Sequence, residues 1–236
     1  SMSLNPSDNY VLLTCARLLQ IQKSVEDPSD HLRLTCGAIV ALEIGLRYSG
    51  SNFHMRLLLI ELYLTIGAGW CALEHWRVLD VKHIQWVTLS HHVYLPFFQL
   101  ACWEGHKMIS AGILEISQEN LREGDESVQR AIEKGSFNTA IEITSFQQRL
   151  ERSWILALHS VFSRYVTLFD SWEPRRAARK LNTGTGCNAK WKDHELISNE
   201  DHETLGFLLM NSPRHQGHLA VPIEEISLLS CQELIL

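Results

Sequence analysis

Ile-Gly-Ala-Gly-Trp-Cys-Ala-Leu-Glu at residues 66–74 and Lys-Gly-Ser-Phe-Asn-Thr-Ala-Ile-Glu at residues 134–142 share the pattern that decides the fold. In each stretch a glycine, Gly67 or Gly135, stands five residues before an alanine. A glycine that follows a helix can adopt the left-handed backbone conformation that ends it, and a small residue early in the next helix lets two helices cross closely. The pattern therefore predicts tight turns within helical hairpins.

The spacing of the small residues predicts that these hairpins repeat. Ala38 and Ala72 are 34 residues apart, and Ala140 follows after twice that interval. Thirty-four residues is the period of the tetratricopeptide repeat, a helix–turn–helix unit that buries its apolar face on its neighbours. The frame in between is degenerate, because it places Ala101 at the glycine position and His106 at the small position. The spacing favours such a repeat over an ordinary helical bundle.

Hydrophobic periodicity predicts helices along most of the chain. From Asn9 to about Leu181 apolar residues recur at helical spacing, and no segment reads convincingly as a β-strand. The predicted helices are Asn9–Ser24, Ser29–Tyr48, Ser51–Ile66, Gly69–Leu79, Ile84–Cys102, Lys107–Arg122, Asp125–Lys134, Phe137–Glu151 and Arg152–Leu181. The predicted fold class is all-α, with stacked antiparallel helical hairpins in a tetratricopeptide-like superhelix and a loosely structured C-terminal segment.

Local signals refine the predicted helix ends. Residues that commonly cap helix N-termini accompany three of the starts: Ser29 with Asp30, Ser51 with Asn52, and Asp125. Pro96 is expected to kink or end its helix, because proline removes a backbone donor and clashes with the preceding turn. The run Trp103-Glu104-Gly105 is expected to break the helix between Cys102 and His106.

Changes in composition predict three regions. Residues 1–181 form the hairpin array, residues 182–220 form a polar and irregular linker, and residues 221–236 form a C-terminal amphipathic helix. Pro222 suits the first turn of that helix, which is expected to pack back onto the array.

Composition and charge exclude several classes of partner. The chain has 236 residues, with 21 Lys and Arg against 27 Asp and Glu, and its net charge is -6. Because DNA binders rely on neutralising phosphates, no DNA partner is predicted. The six scattered cysteines indicate reduced thiols in a cytoplasmic protein. The longest apolar stretch, Leu57–Ala68, contains Glu61 and is shorter than the ~20 residues that span a bilayer, so no membrane partner is expected.

The sequence predicts neither a metal site nor a bound cofactor. His91 and His92 would point about 100° apart on a helix, and no carboxylate or thiolate stands at ligand spacing from them or from His83. The run Thr183–Gly186 follows a predicted helix instead of a strand. Leu181 occupies the position where an acetyl-CoA-binding loop would need Arg or Gln.

Two further groups of residues could carry function. Cys102 and His106 lie four residues apart, which is the minimal spacing for a thiolate–imidazolium pair, but the sequence offers no orienting third group. The protein is therefore not expected to be an enzyme. Arg175, Arg176, Arg179 and Lys180 form a basic patch, which is either a solvated helix end or a contact for an acidic protein or ribosomal RNA.

A longer series of motifs resembles a known family. The motifs are Leu57–Tyr63, Ile66–Ala68, Leu79–Gln85, Thr88–His92, Gly135–Phe137, Ser145–Leu150 and Trp191–Asp201. Together they resemble the non-catalytic subunit of the N-terminal acetyltransferase B (NatB) complex, the Mdm20 family, and plant forms in particular. The likeness is good from about Asp30 to Asp170, whereas the large N-terminal array of repeats in that family is missing.

The resemblance implies a scaffold that binds the catalytic acetyltransferase subunit of NatB and needs no cofactor of its own. It also implies a role in co-translational acetylation of chains that begin Met-Asp, Met-Glu, Met-Asn or Met-Gln, with the ribosome as a further candidate partner. The candidate protein-contact residues are Asp80, Lys82, His83, Gln85, Arg149, Arg175 and Arg176. The alternative is a free-standing helical-repeat adaptor that binds peptides in a concave groove.

Overall fold

A computed structural model describes residues 6–170 and Ile197, and the regular structure of these residues is helical. The helices are α1 (Pro6–Gln22), α2 (Pro28–Tyr48), α3 (Phe53–Thr65), α4 (Gly69–Leu79), α5 (Gln85–Thr88), α6 (Tyr94–Gln99), α7 (Trp103–Glu133), α8 (Phe137–Glu151) and α9 (Trp154–Asp170), with a 3₁₀ turn at Ser90–His92. β-pairing among the described residues is limited to one isolated bridge, between Ser153 and Ile197. The predicted all-α fold class is confirmed.

The described residues belong to two compact units. The first unit contains residues 6–81 and 92–106, and the second contains residues 82–91, 107–170 and Ile197. Within the first unit α1 packs on α2, α2 on α3, and α3 on α4, so that consecutive helices form hairpins. This packing is consistent with tetratricopeptide-like stacking.

Helix α3 forms the core of the first unit. Every residue from Met55 to Leu62 is buried, including Arg56 and Glu61. A helix that is apolar on nearly all sides must be covered on nearly all sides, and the hairpin helices α2 and α4 both pack against α3. The two charged residues within this run therefore need partners inside the protein.

Asp8 in α1 holds the turn between α2 and α3. Its carboxylate accepts a hydrogen bond of 2.7 Å from the Ser49 hydroxyl and one of 2.9 Å from the Asn52 side-chain amide. The Asn52 side-chain oxygen in turn accepts from the Met55 amide at 3.0 Å and caps α3, as predicted. The N-cap of α2 is Asp27 instead of Ser29 or Asp30, because Pro28 already occupies the first helical turn.

Three tight turns recur 34 residues apart, at Gly67, Ala101 and Gly135, with φ angles of 80°, 53° and 71°. At each turn the amide of the residue with positive φ donates to the carbonyl three positions earlier in the chain. The amide of the following residue donates to the carbonyl five positions earlier than itself. The six bonds are Gly67 to Leu64 (3.2 Å), Ala68 to Tyr63 (2.8 Å), Ala101 to Phe98 (3.1 Å), Cys102 to Phe97 (2.8 Å), Gly135 to Ile132 (2.9 Å) and Ser136 to Ala131 (2.9 Å). This pattern is the Schellman motif, and it confirms the predicted turns at the two glycines.

The predicted small positions are buried. Ala38 and Ala72 are fully buried and Ala140 is 7% exposed. In the degenerate frame His106 is buried too, and its ring lies 4.6 Å from the ring of Tyr94, centroid to centroid. The frame therefore keeps the turn at Ala101 and has an aromatic contact at the place of an alanine.

The segment predicted as one helix from Ile84 to Cys102 is instead three short pieces, α5, the 3₁₀ turn and α6. Pro96 lies within the first turn of α6, where the missing amide costs no intrahelical hydrogen bond. The helix is therefore interrupted before the proline and not at it.

The predicted break near Gly124 is wrong, because α7 runs unbroken through it and Asp125 caps nothing. Gly124 lies inside this helix, and a methyl group there would meet the amide end of the flexible Gln147 side chain of α8. The expected break at Trp103–Gly105 is also wrong, since α7 begins at Trp103. A methyl group at Gly105 would lie 2.8 Å from the Phe97 ring.

The second unit contains most of α7 together with α8 and α9. Trp86 lies across Gly112 of α7 so closely that a methyl group there would overlap its ring. Residues Ile155–His159 of α9 are buried, and the start of this helix is bridged by Ile197, whose amide donates to Arg152 O at 2.8 Å.

The predicted linker at 182–220, apart from Ile197, and the predicted helix at 221–236 lie outside the described residues, as do residues 171–181 of the predicted array. These regional assignments stay predictions. Among the described helices, none combines the length and apolar character needed to cross a membrane.

Candidate protein-contact site

The predicted contact residue Asp80 ends α4 in the first unit. It adopts the left-handed conformation, with φ 52° and ψ 48°, and its amide lies 3.4 Å from the Arg77 carbonyl oxygen. Aspartate tolerates this conformation better than most side chains, because it can form local hydrogen bonds. Asp80 is exposed, so the carboxylate side chain at this helix end is accessible.

Lys82, His83 and Gln85 form one exposed turn in the second unit. The Lys82 amide donates to the Gln85 side-chain oxygen at 3.1 Å, and the Gln85 amide donates to the Lys82 carbonyl at 3.0 Å. His83 has φ 48°, and its Nδ1 atom lies 4.0 Å from a carboxylate oxygen of Glu119 in α7. The structure thus brings three of the predicted contact residues together.

The backbone of this stretch stores strain. Asp80 and His83 are two of the three non-glycine residues with positive φ among those described. The left-handed conformation costs most side chains about 1–2 kcal/mol, but Asp and His adopt it more often than other residues do. Of the two, His83 belongs to the exposed turn that also contains Lys82 and Gln85.

The remaining predicted contact residues lie elsewhere in the chain. Arg149 is exposed in the last turn of α8, where a cation complements the partial negative charge of the helix end. Arg175 and Arg176 lie outside the described residues.

The sequence did not reveal a polar network that joins α2, α3 and α4 in the first unit. Arg56 Nη1 lies 3.2 Å from His75 Nδ1, His75 Nε2 lies 3.0 Å from Glu43 Oε1, and the Tyr63 hydroxyl donates to the same oxygen at 2.7 Å. The imidazole of His75 also stacks on the Tyr63 ring at a centroid distance of 5.6 Å. This arrangement fits a neutral imidazole that accepts from Arg56 and donates to Glu43.

Burial and hydrogen bonding shift two pKa values in this network. Burial, followed by the hydrogen bond to Glu43, raises the pKa of Tyr63 well above its usual range. Burial lowers the pKa of Arg56, and the nearby Glu43 carboxylate partly opposes that effect. The guanidinium also donates to the Gly50 carbonyl at 2.5 Å, which fixes the turn between α2 and α3.

A second buried pair was signalled only in part by the sequence. Glu61, the charge that interrupts the apolar run of α3, has its Oε1 atom 2.6 Å from Nδ1 of His92. Both side chains are almost fully buried, at 3% and 1% exposed. A single acidic residue in an apolar run indicates a buried partner, because a buried charge needs one. The sequence does not identify His92 as that partner.

The residues considered for metal binding and catalysis have other surroundings in the described part of the chain. Among the described residues, no group of three or more His, Cys, Asp or Glu is placed to hold a metal ion. Cys102 contacts the Gly69 carbonyl at 3.9 Å, while the His106 ring packs on Tyr94 and Phe98. Each member of the proposed thiolate–imidazolium pair thus has a structural contact of its own.

Comparisons with known proteins connect this architecture to one family. A family model described as the N-acetyltransferase B complex (NatB) non catalytic subunit matches residues 1–208. The N-terminal acetyltransferase B complex auxiliary subunit NAA25 of Arabidopsis thaliana is 31% identical over 116 residues, which is 49% of this chain and 11% of that protein.

Two further relatives extend the comparison. The N-terminal acetyltransferase B complex subunit arm1 of Schizosaccharomyces pombe is 28% identical over 234 residues, covering 91% of this chain and 27% of that protein. The human N-alpha-acetyltransferase 25, NatB auxiliary subunit, is 27% identical over 147 residues, covering 62% and 15%. The chain thus spans between about a tenth and about a quarter of the length of these relatives.

Proposed function

Because the chain belongs to the family of the non-catalytic subunit of the N-acetyltransferase B complex, we propose that it helps to hold the catalytic acetyltransferase subunit of that complex. The family description itself says non-catalytic, in agreement with the expectation that the chain is not an enzyme. The observation that carries the proposal is the family match over residues 1–208. The acceptors would be nascent chains that begin Met-Asp, Met-Glu, Met-Asn or Met-Gln.

The fold supports a scaffold role. Hairpins that pack each on the next expose long helix surfaces, and binding energy on such surfaces is spread over many residues. Since the chain spans at most 27% of the length of these three relatives, it would carry only part of such a surface. We expect weak binding by this chain alone and tight binding by a protein extended to the length of those relatives.

The strained turn supports a specific contact. Lys82 and Gln85 are exposed, and their mutual hydrogen bonds hold the turn in place before any partner arrives. A preorganised polar turn loses little conformational entropy on binding. Asp80, His83 and Arg149 are proposed as further contacts, together with Arg175 and Arg176.

The cellular setting is part of the proposal. Co-translational acetylation would place the complex in the cytoplasm and near the ribosome. The basic residues Arg175, Arg176, Arg179 and Lys180 would favour an approach to the polyanionic ribosomal surface even though the chain as a whole is acidic.

Size-exclusion chromatography with the catalytic subunit tests the proposal. The extended protein should co-elute with that subunit, and the double variant Lys82→Glu/Gln85→Ala should weaken binding about tenfold, or ~1.4 kcal/mol. Lys107→Glu is the matched control, because Lys107 is also exposed and carries the same charge change. Absence of co-elution by the extended protein would favour the free-standing peptide-binding adaptor, and equal weakening by the control would remove the turn from the interface.

A further inference from the structure

Helix α2 is apolar on two opposite sides. One side, with Ala38, Leu42 and Leu46, faces the core of the first unit. The opposite side carries Val40, Ile44 and Tyr48, which are 55%, 51% and 84% exposed. Together with the exposed Cys36 and Gly37 these three residues form a surface about three turns long, here named the outer face of α2. A surface helix normally has polar residues on the side away from the core.

Gly37 indicates that a second helix can approach the outer face closely. A glycine in the middle of a helix is destabilising relative to alanine, so it usually has a local reason. A methyl group at Gly37 would meet only Leu18, at an ordinary distance of 3.9 Å, so packing within the described unit does not require glycine here. Gly37 is itself exposed and lies three residues before Val40.

The outer face is flanked by positive charge. Arg33 and Arg47 lie near its two ends, and both are exposed. The charge of Arg33 is partly offset by an ion pair with Asp30 at 3.3 Å, whereas no ion pair is formed by Arg47 among the described residues. Val78 of α4, another exposed apolar residue of the unit, is in a different setting, because it lies near Glu74, whose partner Arg77 also binds Glu104. Of these two surfaces the outer face of α2 suits an acidic, apolar segment better.

The segment Pro222–Leu236 has this chemistry. It reads Pro-Ile-Glu-Glu-Ile-Ser-Leu-Leu-Ser-Cys-Gln-Glu-Leu-Ile-Leu, with seven Ile or Leu residues, three Glu and no Lys or Arg. Its sequence predicts an amphipathic helix. It also lies beyond residue 208, where the family match ends, so the match does not assign it a role.

We propose that the outer face of α2 is the docking surface for the segment Pro222–Leu236 of the same chain. The Ile and Leu residues cover Val40, Ile44 and Tyr48, and the glutamates face Arg33 and Arg47. Covalent connection raises the effective concentration of the segment, so modest contacts suffice for docking. The proposal concerns contacts within the chain and is independent of the proposed binding of an acetyltransferase subunit.

Two native cysteines provide a direct test. Cys36 is exposed on the outer face, and Cys231 lies within the segment. The full-length chain carrying Cys187→Ser, at low micromolar concentration, is treated with a short bismaleimide, and the linked peptides are identified by mass spectrometry. We expect a Cys36–Cys231 link within one chain. Cys71, which is exposed on α4, is the internal competitor and should remain unlinked to Cys231.

Matched substitutions separate docking from chance encounter. Val40→Glu with Ile44→Glu adds negative charge to the outer face and should reduce the yield of the Cys36–Cys231 link at least fivefold. Val78→Glu, at a valine of similar exposure on α4, should leave the yield unchanged. All these sites are exposed, and unchanged thermal midpoints will show that the variants are folded.

Three results would overturn the proposal. The first is an equal or greater yield of a Cys71–Cys231 link, which would indicate an undocked segment. The second is a link formed mainly between two chains, which would make a second copy the occupant of the outer face. The third is an unchanged Cys36–Cys231 yield in the double glutamate variant.

Discussion

Ala101 is a residue held in a backbone conformation that its side chain opposes. Its φ of 53° places it in the left-handed region, which for a non-glycine residue costs about 1–2 kcal/mol. The turn is nevertheless held by the same two hydrogen bonds that form at Gly67 and Gly135. The packing of the helices on either side thus outweighs the local preference of alanine.

Replacing Ala101 by glycine should therefore stabilise the protein. Relief of the strain outweighs the greater flexibility that glycine gives to the unfolded chain, and we expect a net gain of about 1 kcal/mol in the free energy of unfolding by urea. Ala101 is exposed, so little packing is lost. The reverse change Gly135→Ala should destabilise by a similar amount, because Gly135 has open space around it and only its φ of 71° is at issue. Equal stability of Ala101→Gly and the parent would contradict this account.

Cys15 should be the least reactive of the described thiols. Burial raises its pKa from an ordinary value near 9 to about 12, and its sulfur donates to the Ala38 carbonyl at 3.6 Å. Because the thiolate is the nucleophile, alkylation at pH 8 should label Cys36 and Cys71 quickly and Cys15 only on unfolding. The folded chain holds the thiol proton of Cys15 more tightly than the unfolded chain does. The free energy of unfolding is therefore unaffected by this group below pH 9 and falls as the pH rises from 9 towards 12. Rapid labelling of Cys15 in the folded chain would show that this part of the core opens.

At the scale of the helices, charged groups that are buried in α3 decide how its neighbours pack. The Glu61–His92 pair and the Arg56–His75–Glu43 chain both connect α3 to other parts of the first unit. A buried ion pair adds little net stability, but a single unpaired member is very costly. Such pairs therefore constrain which segment can lie against the helix.

Single substitutions within the Glu61–His92 pair should be severe. Glu61→Leu or His92→Leu leaves one buried polar partner without its hydrogen bond, and we expect each to lower the free energy of unfolding by about 3–5 kcal/mol. The double variant Glu61→Leu/His92→Leu should be less destabilised than the sum of the two. A double-mutant cycle by urea denaturation measures the difference. Additive losses would mean that the two side chains do not interact in solution.

The close contact between Gly112 of α7 and Trp86 can be tested by substitution. A methyl group at Gly112 would overlap the Trp86 ring, so Gly112→Ala should cost about 1–3 kcal/mol despite the higher helix propensity of alanine. Trp86→Leu in the same background should restore part of the loss by removing the ring. Thermal unfolding followed by circular dichroism compares the three variants. A stabilised Gly112→Ala would show that Trp86 lies elsewhere.

The helix ends illustrate how far the sequence alone can lead. Gly67 and Gly135 were identified as turn residues because two periodic helices flank each of them, and Asn52 was identified as a cap from its position before an apolar run. The predicted break between Arg122 and Asp125 is wrong, because an aspartate inside a helix looks the same in a sequence as an aspartate that caps one. Only the continuous backbone of α7 through these residues distinguishes the two cases.

For the candidate contact site, the sequence supplies the residues but not their conformation. The sequence singled out Lys82, His83 and Gln85 through a family resemblance, and the structure adds that they form one exposed, strained turn. The sequence does not show the positive φ of His83, because no local pattern signals a histidine in the left-handed conformation. The pairing of Glu61 with His92 was hidden for a similar reason, because it depends on a contact between residues 31 positions apart.

For the whole molecule, membership of a non-catalytic family leads to a plain functional expectation. The purified chain should transfer no acetyl group from acetyl-CoA to a Met-Asp peptide, because the family description is non-catalytic and Leu181 stands where an acetyl-CoA loop needs Arg or Gln. A coupled assay that detects free CoA, with the catalytic subunit alone as the positive control, measures this. Turnover by the isolated chain would contradict the assignment as a scaffold.

The left-handed turn at Ala101 also has a consequence for counting duplicated units in proteins of this type. A search by residue identity looks for a glycine followed by a small residue five positions later, and it skips the frame with Ala101 and His106. A search by dihedral angles would recover that frame, because its φ of 53° and its pair of turn hydrogen bonds match those of the two neighbouring frames. Tallies of repeats that rest on identity alone will therefore come out too low wherever the peptide geometry has outlasted the glycine.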